Sequence, residues 1–508
     1  MNRRSFLRNT LAGTTAIAVT PTAFLASCDG GGQEILDDVL FGEVGGITVP
    51  APPFTNDYAS LDSLPANGAF ITANKNFAIF LGTTGTFCYG YSNTIWGPTL
   101  TANSGESVTL TVEADLAKDT NVHFHGLKLN ADEHDGVEDL LTNGSSKTYS
   151  FTVNNRAGMY WYHPQIKKVT GEQIGGGLGG LFVVSDSEES ALNLPAGNLR
   201  STTISIQDKR FNEDGMMFYS PNTAEKLTGY FGETVLVNGV SGPVKNVSSR
   251  IHRLRIINGS TARIYNLALD VIDGDSIGFN VIGGDGGLLN SLGGAINQIL
   301  LAPGERVDTL VDFSGLPLDT EIMLASKQFN DAGQYQGSTG FDILKFVISQ
   351  EEDETYTLPD DLSDITTLTE GDVTGETRTF DVKNDISKEE ATNNTDSMHT
   401  INGDTYKPGE VAFTVNTGAV EKWVIDNSGG SEPRVMHIYG VQFQVFSREG
   451  GRGNVRQWER GWKDTICVLP EEKVTLIIPF NNAPGIYHMT STNQEHADTG
   501  LMNTFEIV

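Results

Sequence analysis

The feature that most constrains this chain is a recurring pattern of short runs in which apolar and polar residues alternate, separated by Gly, Pro and Asn. Val108-Thr-Leu110-Thr-Val112, Tyr149-Ser-Phe151-Thr-Val153, Leu254-Arg-Ile256, Val441-Gln-Phe443-Gln-Val445 and Val474-Thr-Leu476 all show it. Side chains on a strand point alternately to its two faces, so each run buries one face and leaves the other wet. Runs of this length and spacing predict antiparallel β-sandwiches and an all-β fold, and no long stretch carries helical periodicity. A chain of 508 residues needs several such units, because single cores stop growing at about 250–300 residues.

Two segments echo one another. Lys147 to Val153 leads into Asn154-Asn155-Arg156-Ala157-Gly158, and Lys473 to Phe480 leads into Asn481-Asn482-Ala483-Pro484-Gly485, each followed by aromatic residues and a His. Similar sandwiches are therefore expected near both ends, with room for a third between them. Near residues 188–198 and 350–375 the chain turns acidic and loses its alternation, which sets the expected domains at 66–190, 191–355 and 356–508. Residues 29–65, rich in Gly, Pro and Asp, read as a tether.

Residues 1–28 read as an address. Arg3-Arg4 precede the apolar run from Leu11 to Leu25, and Leu25-Ala26-Ser27-Cys28 closes it. This order resembles a twin-arginine export signal ending in a lipoprotein cleavage box. It implies a periplasmic protein held to a bacterial membrane only through lipid on Cys28. No later stretch is apolar for about 18 residues, so no span is expected in the body. The formal net charge of −30, from 34 Lys+Arg against 64 Asp+Glu, repels phosphate backbones and argues against nucleic acid. The expected partner is a protein of the cell envelope. Three cysteines, Cys28, Cys88 and Cys467, supply no CxxC zinc site.

Chemistry rests on the histidines. On a strand, His123-Phe124-His125 sends both imidazoles to one face, an arrangement suited to chelating metal. Tyr160-Trp161-Tyr162-His163-Pro164, Gly177-Leu-Gly179-Gly-Leu-Phe-Val183, Met436-His437-Ile438-Tyr439-Gly440 and Glu495-His496-Ala-Asp498-Thr-Gly500 follow in order. Between them stand Gln207-Asp208-Lys-Arg210-Phe211, Val237-Asn238-Gly239 and Leu301-Ala-Pro303-Gly304-Glu305-Arg306. Together these segments resemble the three-domain multicopper oxidases over residues 70 to 508, which implies three cupredoxin-like Greek-key β-sandwiches.

The departures from that family decide what the resemblance implies. Its four His-rich motifs hold a type 2 copper, a type 3 copper pair and a type 1 copper that needs Cys and two His. Here the second motif reads His163-Pro164-Gln165, and the third places Arg434 at a type 1 His and Tyr439 at a type 3 His. The fourth, counted without a gap from Gly485, puts Thr490-Ser491-Thr492 where His-Cys-His belongs and Leu501 at the axial Met. His488 lies one step along the same strand face. By resemblance His123 and His437 are the type 2 pair, His125 and His163 are two type 3 ligands, and Asp135 and Glu495 match proton-delivering acids. The metal candidates are thus His123, His125, His163 and His437, for one residual copper ion at most, or none.

Laccase-type oxidation is not expected, because a type 1 copper needs a soft thiolate. The chain is similar to the twin-arginine-exported, copper-free cell-division branch of the superfamily, which implies a binding or scaffold role. The rival reading is a copper-dependent oxidoreductase using the retained histidines. Some family members link their first and third domains by a disulfide, which would pair Cys88 with Cys467. His134, His252, His399 and His496 are expected to be structural or surface residues. Gly175-Gly-Gly177-Leu-Gly-Gly180 satisfies GxGxxG but leads into a strand, so no dinucleotide site is expected. Replacing Arg3 and Arg4 by Lys should leave uncleaved precursor in the cytoplasm, and Cys28→Ala should yield a non-lipidated form, both read by fractionation and metabolic lipid labelling. Normal export of the double Lys variant would reject the twin-arginine reading.

Overall fold

The computed structural model describes residues 48–81, 84–330, 336–382 and 397–508. The export signal, Cys28 and the first part of the tether lie outside the described residues. The alternating runs become strands as the period-2 pattern requires. Ser107–Asp115 buries Val108, Leu110, Val112 and Ala114 and exposes or half-exposes the residues between them. Each such aliphatic side chain, once fully buried, contributes about 1.5–3 kcal/mol.

Three pairs of sheets result. The first pairs a four-stranded sheet, containing Phe70–Leu81, Thr84–Tyr91, Ser107–Asp115 and Ser146–Thr152, with a five-stranded one built on Gly97–Asn103, Gly180–Ser185, Gly158–His163 and His123–His125. The middle pair is larger, with seven and eight strands among the described residues. The third repeats the first. A sheet of Thr377–Asp381, Val420–Asp426, Lys473–Pro479 and Gln444–Glu449 faces one of Phe413–Val415, Met502–Ile507, Gly485–Ser491, Arg434–Ile438 and Thr465–Val468. Each has its own apolar core, around Leu110 and Phe124, around Leu254 and Leu310, and around Trp423 and Leu476.

Three expectations need correction. The sandwiches are not wholly antiparallel: Phe70–Leu81 runs parallel to Ser107–Asp115, Gly180–Ser185 to Gly97–Asn103, and Thr377–Asp381 to Val420–Asp426. Side-chain alternation is the same in either direction, so the pattern could not distinguish them. The end of the tether is tied down, with Asn56–Asp57 pairing with Pro243 and Val244 and Ser63–Pro65 with Thr99 to Thr101. Cys88 and Cys467 are free and buried in separate apolar clusters, one with Phe80 and Leu236, the other with Val435 and Leu469. The glycine-rich segment does lead into a strand, Gly180–Ser185, with Gly177 at φ +119°. Among the described residues no helix is long and apolar enough to cross a membrane.

One buried arginine joins all three sandwiches. Arg306, on Arg306–Asp312 of the middle unit, donates from Nε to the Met159 carbonyl of the first (2.9 Å) and from both Nη atoms to Asp464 of the third (2.8 and 2.6 Å). Its remaining bonds go to the Gly304 and Asp285 carbonyls. Truncating one partner of a buried ion pair strands the other charge. Arg306→Met should therefore lower stability by about 3–5 kcal/mol, read as a reduced urea midpoint, with Arg306→Lys retaining part of the loss.

Candidate metal centre

His123–His125 pairs antiparallel with Gly158–His163, setting His123 opposite His163 and His125 opposite Trp161. Alternation sends Phe124 into the core against Tyr149 and Phe151, and both imidazoles to the other face. There they meet His437, carried by Arg434–Ile438 of the third sandwich. His123 Nε2 lies 2.9 Å from His437 Nε2, and His125 Nδ1 lies 3.1 Å from His163 Nε2. The His125 and His437 rings stack with centroids 3.6 Å apart. All four predicted histidines therefore converge, and none is more than 2% exposed.

Outer hydrogen bonds fix which nitrogens face inward. His163 Nδ1 is 2.9 Å from the Pro164 carbonyl oxygen, and His437 Nδ1 is 2.9 Å from that of Asp464. A carbonyl only accepts, so both rings carry their proton on Nδ1 and turn an Nε2 lone pair into the cluster. His125 Nε2 lies 3.1 Å from Asp464 Oδ1 and 2.7 Å from Thr465 Oγ1. A proton on that nitrogen is favoured by the carboxylate, which leaves His125 Nδ1 as a second lone pair against His163 Nε2.

Burial pushes the His123 and His125 pKa values well below the ordinary imidazole value, with neighbouring His437 adding to it, and pushes His163 down to about 3. These rings are neutral, as ligands must be. Burial opposes the charge of Asp464, but the Arg306 guanidinium and the hydrogen bonds from His125 and His437 outweigh it and hold its pKa well below the carboxylate range.

The residues that the family resemblance sets at the other ligand positions stand close by. Tyr439 stacks flat on His123, centroids 3.9 Å apart, and Thr490 stands opposite His437 in the strand pair. Thr492 Oγ1 donates to the Pro303 carbonyl (2.7 Å), Ser491 Oγ accepts from the Asn493 amide (3.1 Å), and Leu501 belongs to the third core. The Gln165 backbone N–H donates to Asn121 Oδ1 (2.7 Å). Arg434 is fully buried, donates from Nε to the Val382 carbonyl (2.8 Å), and sets Nη1 3.0 Å from His496 Nδ1.

His496 Nε2 faces the Leu227 carbonyl at 2.9 Å, so Nδ1 carries the lone pair that accepts from Arg434. His399 lies beside it, ring centroids 4.3 Å apart. Neither residue is at the surface, and neither lacks a neighbour of its own kind. Their partners come from distant strands and loops, which local spacing could not reveal. His252 is structural as expected, 2.7 Å from Thr202 Oγ1. Asp135 accepts from Tyr149 (2.5 Å) and pairs with Lys147, and Glu495 accepts from Tyr219 (2.6 Å). Asp464 and Arg306 escaped the sequence reading as members of the site. Arg306 stood in a segment noted only for its family resemblance, and Asp464 has no local signal.

A multicopper oxidase family model matches residues 73–189, and a second matches residues 377–508. A multicopper oxidase of Staphylococcus epidermidis is 30% identical over 422 residues, 82% of this chain and 83% of its own. The chain belongs to the multicopper oxidase family. The cell division protein FtsP of Photorhabdus laumondii is 29% identical over 451 residues, 87% of each chain. The crystal structure of the McoA multicopper oxidase from Aquifex aeolicus superposes with a TM-score of 0.79 at 27% identity, over 89% of this chain and 99% of that one.

Copper is the group this family implies. The imidazole nitrogens of His123, His125, His163 and His437, in two groups that share His125, are a donor set that fits it. A bound copper would supply one-electron redox chemistry and Lewis acidity.

Glu495 gives a separate handle on the third sandwich. Burial pushes its carboxyl up to about 8 from 4.5, and its Oε2 has no hydrogen-bond partner. The folded state thus holds a proton that the unfolded state releases across that interval, so this contribution to stability is present below pH 4.5 and lost as pH rises through 8. The urea midpoint should fall across that window, and Glu495→Gln should flatten the fall.

Proposed function

We propose that this member of the multicopper oxidase family is exported to the periplasm by the twin-arginine route, is anchored by lipid on Cys28, and acts by binding an envelope protein. It is not a laccase-type oxidase and holds at most one copper ion, centred on His123 and His437. The observation that carries this reading is Arg434. Its guanidinium takes the lone pair of His496 at 3.0 Å, at a position where the family resemblance requires an imidazole. A buried cation there repels copper and leaves His496 no free nitrogen.

Two further points support it. Ser491, a hydroxyl, stands at the thiolate position, and the free thiols Cys88 and Cys467 are pushed by burial to about 11 and about 12, far from thiolate character at neutral pH. FtsP, named as a cell division protein, matches 87% of the chain. The rival reading, a copper-dependent oxidoreductase, draws on the outer hydrogen bonds that orient His125, His163 and His437.

Purified protein supplied with copper should lack intense blue thiolate absorption and should fail to oxidise phenols or cuprous ion. It should bind no more than one ion per chain, and His123→Ala/His437→Ala should abolish that binding. Turnover at ordinary laccase rates would overturn the binding-protein reading. Slow turnover lost in the His123→Ala/His437→Ala variant would favour the rival.

A further inference from the structure

Four imidazoles surround Tyr439, that of His437 tilted against it with centroids 5.5 Å apart. His123 stacks flat on its ring at 3.9 Å, while His134 and His488 approach edge-on at 5.7 and 5.4 Å. Three buried polar atoms in this group have no hydrogen-bond partner: His123 Nδ1, His134 Nε2 and Tyr439 Oη. An unpaired buried polar atom is costly, so their gathering around one ring marks a place that receives something polar.

The chemistry of the nitrogens narrows the choice. His134 Nδ1 lies 3.0 Å from the Asp135 carbonyl oxygen, which only accepts, so Nε2 is a lone pair. His488 Nδ1 pairs with Thr504 Oγ1 at 3.1 Å, and its Nε2 borders Gly136, where a Cβ would come within 2.9 Å of it. Though only 5% exposed, His488 lines an open cleft of about 660 Å³ between elements of the first and third sandwiches. Asp132, Glu138 and Asp139 line the same cleft. Beyond Tyr439, the four clustered histidines are at most 2% exposed and need a path by which an ion reaches them.

We propose that His488 and His134 form a loading station for a copper-class cation. The acidic cleft draws the ion in, His488 takes it at the cleft wall, and it passes by way of His134 along Tyr439 to His123 and His437. The inference rests on the reading that the cluster holds an ion. Carboxylates at the mouth favour cations over anions, and imidazole nitrogen inside favours copper or zinc over magnesium or calcium.

Trp161 provides the reporter, since its ring stacks on His163 at 3.8 Å and a copper ion at the cluster would quench it. The full mature chain, freed of metal, is mixed with cupric ion in a stopped-flow instrument while tryptophan fluorescence is followed. His134→Gln/His488→Gln should slow quenching by about ten-fold or more while the copper bound at equilibrium stays the same. Asp132→Asn, at an exposed position that leaves the interior intact, should slow loading less and weaken its dependence on ionic strength. Unchanged rates in both variants would overturn the loading route and leave the cluster site standing. Loss of equilibrium binding in His134→Gln/His488→Gln would overturn it too, by making these residues ligands of the resting ion. Wild-type protein that neither quenches nor binds copper would overturn the cluster site as well.

Discussion

The ion pair between Arg306 and Asp464 is the contact on which the rest of the molecule turns. Two charges removed from water repay their desolvation only when geometry is good and the other donors are satisfied. Here the guanidinium makes two bonds to one carboxylate and spends the others on carbonyls of the first and middle sandwiches. Asp464 in turn reaches His125 through Oδ1 and His437 through its carbonyl. Domain assembly and imidazole orientation are therefore the same interaction seen from two sides.

That shared dependence extends to the packing of the four clustered histidines. His123, His125, His163 and His437 pack against one another and against Asp464, Trp161 and Tyr439, so each is also a structural side chain. Ser491, Thr492 and Leu501 answer to backbone atoms or to the third core. Arg434 is the exception that carries information: a fully buried guanidinium with one Nη lacking a partner is a costly residue to place in an interior. Burial lowers its pKa to about 10, and it remains a cation at any physiological pH.

Much of the fold was legible because alternation is a local property. Val108 to Val112 and Val474 to Leu476 lie within strands of the described structure, and Val441 to Val445 was misplaced mainly at its start, the strand beginning at Gln444. Strand direction was not legible, since a parallel and an antiparallel neighbour demand the same pattern of buried faces. The pairing of residues 56–57 and 63–65 was equally hidden. A two- or three-residue strand has too few side chains to show a period, and its bonds are made by backbone. The cysteines misled for another reason: a disulfide is a statement about distance, and neither Cys88 nor Cys467 carries any sign of where the other lies.

The sequence alone determined the all-β class, the membership of the multicopper oxidase family and the placing of His123 and His125 on one face of a strand. Each of these follows from residue type and spacing along a strand, or from family motifs read in order. Only the tertiary structure decided that Asp464 and Arg306 belong to the centre, that Arg434 closes on His496, and that His134 and His488 flank Tyr439 between the cluster and an acidic cleft. These are contacts between residues tens to hundreds of positions apart, joined by the packing of one sandwich against another. Such packing is set by the shapes and buried charges of whole surfaces, which no local pattern encodes.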